Sequence, residues 1–200
     1  MDPPLLTAFA GIAAALFITE LTDKDALLLL ALAGREKAST VFLAGVSAFA
    51  LTTALFVTAG SLITRLVPIA WVKFAGGTIM IAYALWEARG LVGERFVERE
   101  EREVEKKAAG WRVFVSMVGA LVILDVAGDA TEVLTIVFVA HYSNALLVFA
   151  GVCTGLILAT GVETALGSRL GKLLTPARIR NVSVVVFLIL GTFIILSAFT

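Results

Sequence analysis

The stretches ITELTDKDALLLL at residues 18–30 and VILDVAGDATEVLTIVFV at residues 122–139 decide the fold of this chain. Each carries carboxylates within an apolar run, at Glu20, Asp23 and Asp25 in the first and at Asp125, Asp129 and Glu132 in the second. A charged side chain at the centre of a bilayer costs about 2.5 kcal/mol or more, and such residues usually mark an ion pathway. The two stretches therefore predict membrane-spanning helices that move a cation.

The composition is that of an integral membrane protein. Of the 200 residues, 60% are hydrophobic and 16% are charged, with a mean hydropathy of +0.99, whereas about a quarter of the residues of a soluble domain are charged. The net charge is zero, so no nucleic-acid partner is expected. With one His (His141) and one Cys (Cys153), the chain lacks the usual ligands of a soft metal. We expect no permanently bound cofactor.

Six apolar runs are long enough to cross a bilayer, which takes roughly 20 residues of helix. They are Leu5–Ala33, Thr40–Thr64, Ile69–Leu91, Trp111–Ala140, Ala145–Gly167 and Ile179–Phe199. These runs are far longer than the roughly ten residues of a barrel strand and do not alternate, which favours an all-α protein. A charged segment separates the third run from the fourth. It divides the chain into a three-helix repeat at residues 1–90, a cytoplasmic loop at 91–110 and a second three-helix repeat at 111–200.

The distribution of Lys and Arg predicts the orientation in the membrane. Thirteen of the 16 lie in or beside the first, third and fifth connections, and seven of those fall between Arg89 and Arg112. Basic residues are enriched in cytoplasmic connections. We therefore expect the long charged loop in the cytoplasm and both termini outside it. The compact chain favours a prokaryotic plasma membrane.

The two halves of the chain show an internal repeat. An offset of 106 residues superposes Asp23 on Asp129, Ala44-Gly45-Val46 on Ala150-Gly151-Val152, and Thr58-Ala59 on Thr164-Ala165. After one more inserted residue, Gly60-Ser61 aligns with Gly167-Ser168. Three spans per half make the halves inverted relative to each other, a design in which transporters place a polar site near the bilayer midplane.

The spacing of the carboxylates predicts one central site lined by oxygen. On a continuous helix, residues three, four and seven apart share a face, which places Asp125, Asp129 and Glu132 on one stripe. The predicted metal ligands are Glu20, Asp23, Asp125, Asp129 and Glu132. The predicted proton-carrying or accessory residues are Lys24, Asp25, Thr131 and Glu163.

Two of the accessory residues have alternative interpretations. Lys24 follows Glu20 by one helical turn, where it is expected to pair with that carboxylate. Glu163 lies in the fifth span, with Thr160 and Thr164 close by on the same helix. It is either a gate or proton-relay residue, or an acid at a helix end that reaches the membrane interface.

A site made of carboxylates, hydroxyls and carbonyls suits a hard cation such as Ca²⁺, Mg²⁺ or Mn²⁺. Clustered carboxylates in a low dielectric cannot all stay ionised without counter-charge, so some of them bind protons. A divalent cation that enters the cluster displaces those protons. This competition is the physical basis of cation/proton exchange.

The two acidic stretches resemble the paired E-x-G-D-[KR]-[ST] signatures of the Golgi-type manganese/calcium:proton exchanger family, also called uncharacterised protein family sixteen. In the first copy, Glu20, Asp23 and Lys24 occupy the Glu, Asp and basic positions, while Thr22 and Asp25 replace the Gly and the Ser/Thr. The resemblance covers nearly the whole chain in its layout. It implies two inverted three-span halves and exchange of Mn²⁺ or Ca²⁺ for protons.

The second copy of the signature departs further from the family pattern. Gly128, Asp129 and Thr131 match, but Val126 and Ala130 stand at the Glu and basic positions. These departures affect the identity of the ion more than the transport role. The chain is thus similar either to that family or to a divergent sister branch in the superfamily of six-span exporters that includes lysine exporters.

Three other functions are weighed against divalent cation exchange. The first is export of a small organic cation such as lysine, or of another metal ion. The second is an intramembrane aspartyl protease, which needs YD and GxGD motifs that the sequences LTDKD and AGDAT lack. The third is a structural membrane subunit. We expect no enzyme activity. The expected partners are the lipid bilayer, a divalent cation and protons, and a homodimer is compatible with the sequence.

Overall fold

The computed structural model describes residues 3–89, 111–126, 130–170 and 176–199. Within these ranges the chain forms eight helices and no strand, which confirms an all-α protein. The helices are α1 (Pro3–Glu20), α2 (Lys24–Ala33), α3 (Ala38–Leu66), α4 (Ile69–Ala88), α5 (Trp111–Val126), α6 (Ala130–Tyr142), α7 (Ala145–Leu170) and α8 (Pro176–Leu196). The predicted charged loop at residues 91–110 lies outside the described residues.

Five of the predicted spans are recognisable by length and apolar character. Helices α3, α4 and α7 each contain an unbroken apolar stretch long enough to cross a bilayer. The pairs α1 with α2 and α5 with α6 each form one bent span, with angles of 70° and 65° between their helices. Helix α8 stands where the sixth span is predicted and has a shorter apolar part, Val184–Leu196.

The ends of several helices follow from local sequence. Pro68 lies just before α4, and Pro176 is the first residue of α8, where its missing N–H leaves no intrahelical bond unmade. Between α6 and α7, Ser143 has a φ of 49° and its N–H donates to the Val139 carbonyl at 3.0 Å. Asn144 then caps α7, because its Oδ1 accepts the Leu147 N–H at 3.0 Å.

The first and fourth spans are each bent rather than continuous helices. Helix α1 ends at Glu20 and α2 begins at Lys24, whereas α5 ends at Val126 and α6 begins at Ala130. The carboxylates on either side of each break therefore do not share one helical face. The helix ends agree with the repeat offset, because Glu20 and Val126, where α1 and α5 end, are 106 residues apart, as are Lys24 and Ala130, where α2 and α6 begin. We refer to these two bends as the helix breaks.

Side chains at the first break compete with the helical hydrogen bonds. The Thr22 hydroxyl lies 2.9 Å from the Thr19 carbonyl, and the backbone closes tighter turns there, with Thr22 N donating to Thr19 O and Asp23 N to Glu20 O. Hydroxyl and carboxyl side chains offer the backbone such alternatives to a helix. The break is thus encoded in the acidic stretch itself.

The helix contacts show that the two halves pack as symmetric partners. Helix α3 packs against α5 and α6 of the second half, and α7 packs against α1 and α2 of the first. Across the centre, α3 meets α7 and α4 meets α8. Helix α1 also touches α6, and α2 touches α5. Exchanging the halves converts these contacts into one another, as an inverted repeat requires.

One close helix contact tests the repeat at the level of single residues. A Cβ added at Gly167 of α7 would lie 2.5 Å from the Leu30 carbonyl oxygen and 2.9 Å from the Ala33 Cβ, so α7 can approach α2 only because residue 167 has no side chain. This contact joins the fifth span to the second part of the first span.

An equivalent contact joins α3 to α6. A Cβ at Gly60 of α3 would lie 3.3 Å from the Ile136 Cα and 3.3 Å from the Val139 Cβ of α6. Gly60 aligns with Gly167 in the repeat, and Ile136 and Val139 lie 106 residues beyond Leu30 and Ala33. The repeat read from sequence is therefore also a repeat of packing.

The exposed surface of the bundle is apolar and its interior is partly polar. On α3, Leu51, Leu55 and Leu62 are more than half exposed, whereas Thr52 and Thr53 are buried. In a soluble protein this arrangement would place large apolar side chains in water. In a bilayer it places leucines against lipid and hydroxyls inside, where polar groups find partners.

We expect Gly167→Ala to destabilise the protein by about 1–3 kcal/mol, because the added methyl must push α7 away from α2. The measurement is thermal unfolding of the purified protein in detergent. Gly119→Ala on α5 is the matched control, since a Cβ there meets nothing within 4 Å. Equal melting temperatures for the two variants would contradict the close packing of α2 and α7.

Candidate cation site at the two helix breaks

The acidic side chains predicted to form the site are buried. Their relative exposures are 0% for Glu20, 2% for Asp23, 0% for Asp25, 1% for Asp125, 7% for Glu132 and 1% for Glu163. Asp129 and the side chain of Lys24 lie outside the described part of the structure. A buried carboxylate is stable only when hydrogen bonds, an opposite charge or a bound proton compensates for lost hydration. The interior of the bundle therefore favours cations and protons.

Two of these carboxylates stand at helix C-termini. Glu20 is the last residue of α1, and Asp125 is in the last turn of α5. A helix C-terminus carries about half an elementary negative charge, and no basic residue occupies the last turn of either described helix. Each carboxylate therefore adds to a negative potential that attracts a cation. Half-helix C-terminal ends of this kind coordinate cations in broken-helix transporters.

Two other carboxylates stand at the opposite helix ends. Asp25 lies in the first turn of α2 and Glu132 in the first turn of α6. The positive end of a helix dipole stabilises a carboxylate there by about 0.3–1 kcal/mol. Thr131, the second residue of α6, is also buried. Each break thus has a carboxylate before it, at a negative helix end, and one after it, at a positive end.

Asp125 is held by a hydroxyl from the other half of the protein. The Thr52 hydroxyl of α3 donates to Asp125 Oδ2 at 2.6 Å, a distance typical of a charge-assisted O–H···O⁻ bond. Both side chains are about 2% exposed or less. This bond joins the second span to the break in the fourth and fixes where the Asp125 carboxylate points.

Asp23 at the first break is approached by the third and sixth spans. The Tyr83 hydroxyl of α4 lies 3.4 Å from Asp23 Oδ1, a long hydrogen bond. The Tyr83 ring packs on Phe187 of α8 with 5.5 Å between ring centroids. The α4–α8 pair therefore contacts the site through one phenol.

Glu163 of α7 faces the first break rather than the membrane interface. It is buried and lies close enough to Asp25 for the two carboxylates to interact electrostatically. The alternative that Glu163 reaches the interface does not agree with its position. Thr52 and Glu163 each project from the second span of one half towards the broken span of the other, although the 106-residue offset does not align the two residues.

The two broken spans contact each other without forming a compact coordination sphere among the described residues. Helix α1 touches α6, and α2 touches α5. In the ranges that the structure describes, no three Asp, Glu, His or Cys side chains are grouped as a metal site. The predicted ligands are thus brought to one region of the bundle, with Asp129 outside the comparison.

Sequence reasoning missed Thr52 and Tyr83. Thr52 belongs to a Thr52-Thr53 pair in an otherwise apolar run, and that pair was the available signal. Tyr83 gave no signal in the sequence, because aromatic residues in membrane spans commonly serve only for packing. Neither residue is related to the acidic stretches by sequence spacing, so only the packing of the helices reveals them.

Comparison with protein families gives one match. A family model described as "Divalent cation/proton antiporter GDT1" matches residues 8–94 and 113–200. The two matched segments cover both halves of the chain and follow the repeat. Comparisons with curated proteins and with solved structures found no match.

We expect Thr52→Val to weaken divalent cation binding by about 10–100-fold, because Asp125 loses the donor that orients it. The measurement is calorimetry with Mn²⁺ and Ca²⁺ on the purified protein. Thr58→Val on the same helix is the control, since its exposed hydroxyl bonds its own backbone at Ala54. If the two variants bind equally well, the Thr52–Asp125 bond has no role in the site.

Proposed function

Because the chain belongs to the divalent cation/proton antiporter family GDT1, and is therefore a membrane antiporter and not an enzyme, we propose that it exchanges Mn²⁺ or Ca²⁺ for protons at the two helix breaks. The ligands in this proposal are Glu20, Asp23, Asp125, Asp129 and Glu132. Asp25 is not included, because it faces Glu163.

The main support for this proposal is the pair of carboxylates at helix C-termini. Glu20 and Asp125 are buried where the backbone already concentrates negative charge. A site for an anion would show the reverse arrangement, with helix N-termini and basic side chains directed towards it. The potential at the breaks therefore selects a cation.

The donor atoms favour a hard divalent cation. Carboxylate and hydroxyl oxygens suit Ca²⁺ and Mn²⁺, whereas Zn²⁺ and Cu⁺ prefer imidazole and thiolate ligands. His141 is exposed near the end of α6, and Cys153 of α7 is in contact with Thr53 of α3. Neither belongs to the proposed ligand set.

Exchange follows from competition for the same carboxylates. Without the cation, buried carboxylates bind protons because an uncompensated charge is costly away from water. When a divalent cation binds, its charge stabilises the ionised form and protons are released. Alternating exposure of the breaks to the two sides of the membrane then couples the two flows.

The distribution of basic residues supports the orientation in the membrane that the sequence predicts. The connection after α2 contains Arg35 and Lys37, whereas the connection between α6 and α7 contains no Lys or Arg. Basic residues favour the cytoplasmic side. We propose that the α2–α3 connection is cytoplasmic and that both termini lie outside the cytoplasm.

We expect Asp23→Asn and Asp125→Asn each to abolish Mn²⁺-driven proton movement in proteoliposomes, because each removes a negative charge from a break. Proton movement is followed with an internal pH-sensitive dye, with Ca²⁺ and lysine as parallel substrates. Glu36→Gln is the control, since Glu36 is exposed in the α2–α3 connection. Full activity in both Asn variants would refute the carboxylate site, and proton movement driven by lysine alone would favour the organic-cation alternative.

A further inference from the structure

Glu163 stands inside a helix, whereas the other described acids of the site stand at helix ends or beside a break. It lies in neither the first nor the last turn of α7, with 1% of its surface exposed. Both of its carboxylate oxygens are buried without a hydrogen-bond partner among the described residues. No described hydroxyl or backbone N–H therefore donates a hydrogen bond to a negative charge on this side chain.

The position of Glu163 relative to the first break follows from the helix contacts. Gly155 of α7 marks where α1 comes closest, since a Cβ there would lie 2.5 Å from the Ala13 carbonyl oxygen. Gly167 marks the close approach of α2 at Leu30. Glu163 lies between these two contacts and therefore faces the gap where α1 ends and α2 begins.

The charged groups around Glu163 come from the helices packed on α7. Asp25 on α2 is the group that interacts with it electrostatically. Glu20 is the last residue of α1, and Glu132 lies in the first turn of α6. Helix α3 contributes Arg65, which lies beyond Gly60 at the end of α3 remote from the α2–α7 contact. Among the described groups, the charge that acts on Glu163 is therefore the Asp25 carboxylate.

Glu163 and Asp25 differ in what their surroundings do for a negative charge. Asp25 is in the first turn of α2, where the helix dipole favours its ionised form. Glu163 lies inside α7 rather than in a first turn, and it faces that negative charge in a low dielectric, which disfavours a second one. Of the two, Glu163 is the carboxyl that holds a proton.

We propose that Glu163 is a proton carrier of the exchange, at a position separate from the residues that bind the metal. This inference rests on the proposed function, since a carried proton matters only if a cation is exchanged for it. In the cation-free protein, one Glu163 oxygen bears the proton. When a divalent cation binds at the breaks, its positive charge stabilises the Glu163 carboxylate, and the proton leaves to water. When the cation departs, the carboxylate takes a proton back from water.

The other half has a different group beside its broken span. There the second span presents the Thr52 hydroxyl to Asp125. A hydroxyl donates a hydrogen bond without changing its charge, so it orients a ligand. A carboxyl can lose its proton and thereby change the charge of the site. Thr52 therefore orients a proposed ligand, whereas Glu163 exchanges a proton.

Two measurements on purified full-length protein in detergent test the proposal. Infrared spectroscopy detects the carbonyl band of a protonated carboxyl, before and after addition of Mn²⁺. Calorimetry with Mn²⁺ in buffers of different ionisation enthalpy counts the protons released per cation bound. The variants are Glu163→Gln, with Glu163→Asp to retain the carboxyl and Thr160→Val as a neighbouring control, whose hydroxyl bonds its own backbone at Leu156.

We expect the wild type to show a protonated-carboxyl band that Mn²⁺ removes, and Glu163→Gln to lack that component. Glu163→Gln should bind Mn²⁺ with a Kd within about threefold of the wild type, yet release about one proton fewer per cation. Glu163→Asp and Thr160→Val should retain the proton release. If Glu163→Gln does not fold, loss of proton release in Glu163→Asp would overturn the proposal.

An unchanged carbonyl band and unchanged proton release in Glu163→Gln would also overturn the proposal while leaving the proposed function intact. If the wild type binds neither Mn²⁺ nor Ca²⁺, the proposed function fails instead. In that case the infrared difference between the wild type and Glu163→Gln still decides whether Glu163 is protonated.

Discussion

The structure depends on one electrostatic constraint, which is the cost of keeping carboxylates inside an apolar bundle. Glu20 and Asp125 are buried at helix C-termini, where the backbone adds negative charge of its own. Such positions are unfavourable unless a cation or a proton is present. The empty, fully ionised state of the protein is therefore unfavourable. This property lets the protein bind a cation and protons in turn.

The remaining architecture holds these carboxylates in place. The broken spans let carboxylates occur at helix ends in the interior, which a continuous helix would not allow. Each broken span packs along the second span of the other half, as the Gly60 and Gly167 contacts show. The main contacts between the halves occur in corresponding pairs, and the two broken spans contact each other. The asymmetry lies in the chemistry, with Thr52 at one break and Glu163 at the other.

Much of the fold could be predicted from the sequence because lipid imposes simple rules. The apolar runs gave the spans, and an offset of 106 residues identified the repeat, with Gly60 and Gly167 aligned within one residue of it. The helix breaks could not be predicted from helical spacing. Asp125, Asp129 and Glu132 have the periodicity of one face, but hydroxyl, acidic and Gly residues nearby make the helix weak at that point.

The site was only partly predictable for a related reason. Acidic residues within apolar runs are conspicuous, so the candidate carboxylates were found from sequence. Their partners Thr52 and Tyr83 come from other spans, and their contacts depend on how the helices pack. The role of Glu163 likewise became apparent only from its burial opposite Asp25.

The central claim is that the two breaks together bind the transported cation. Anomalous X-ray scattering from crystals grown with Mn²⁺ tests it most directly, because the signal locates the metal without reference to a proposed ligand set. The predicted result is a peak between the breaks, within coordination distance of Glu20 or Asp125. A peak confined to the charged segment at residues 91–110, with none between the breaks, would contradict it.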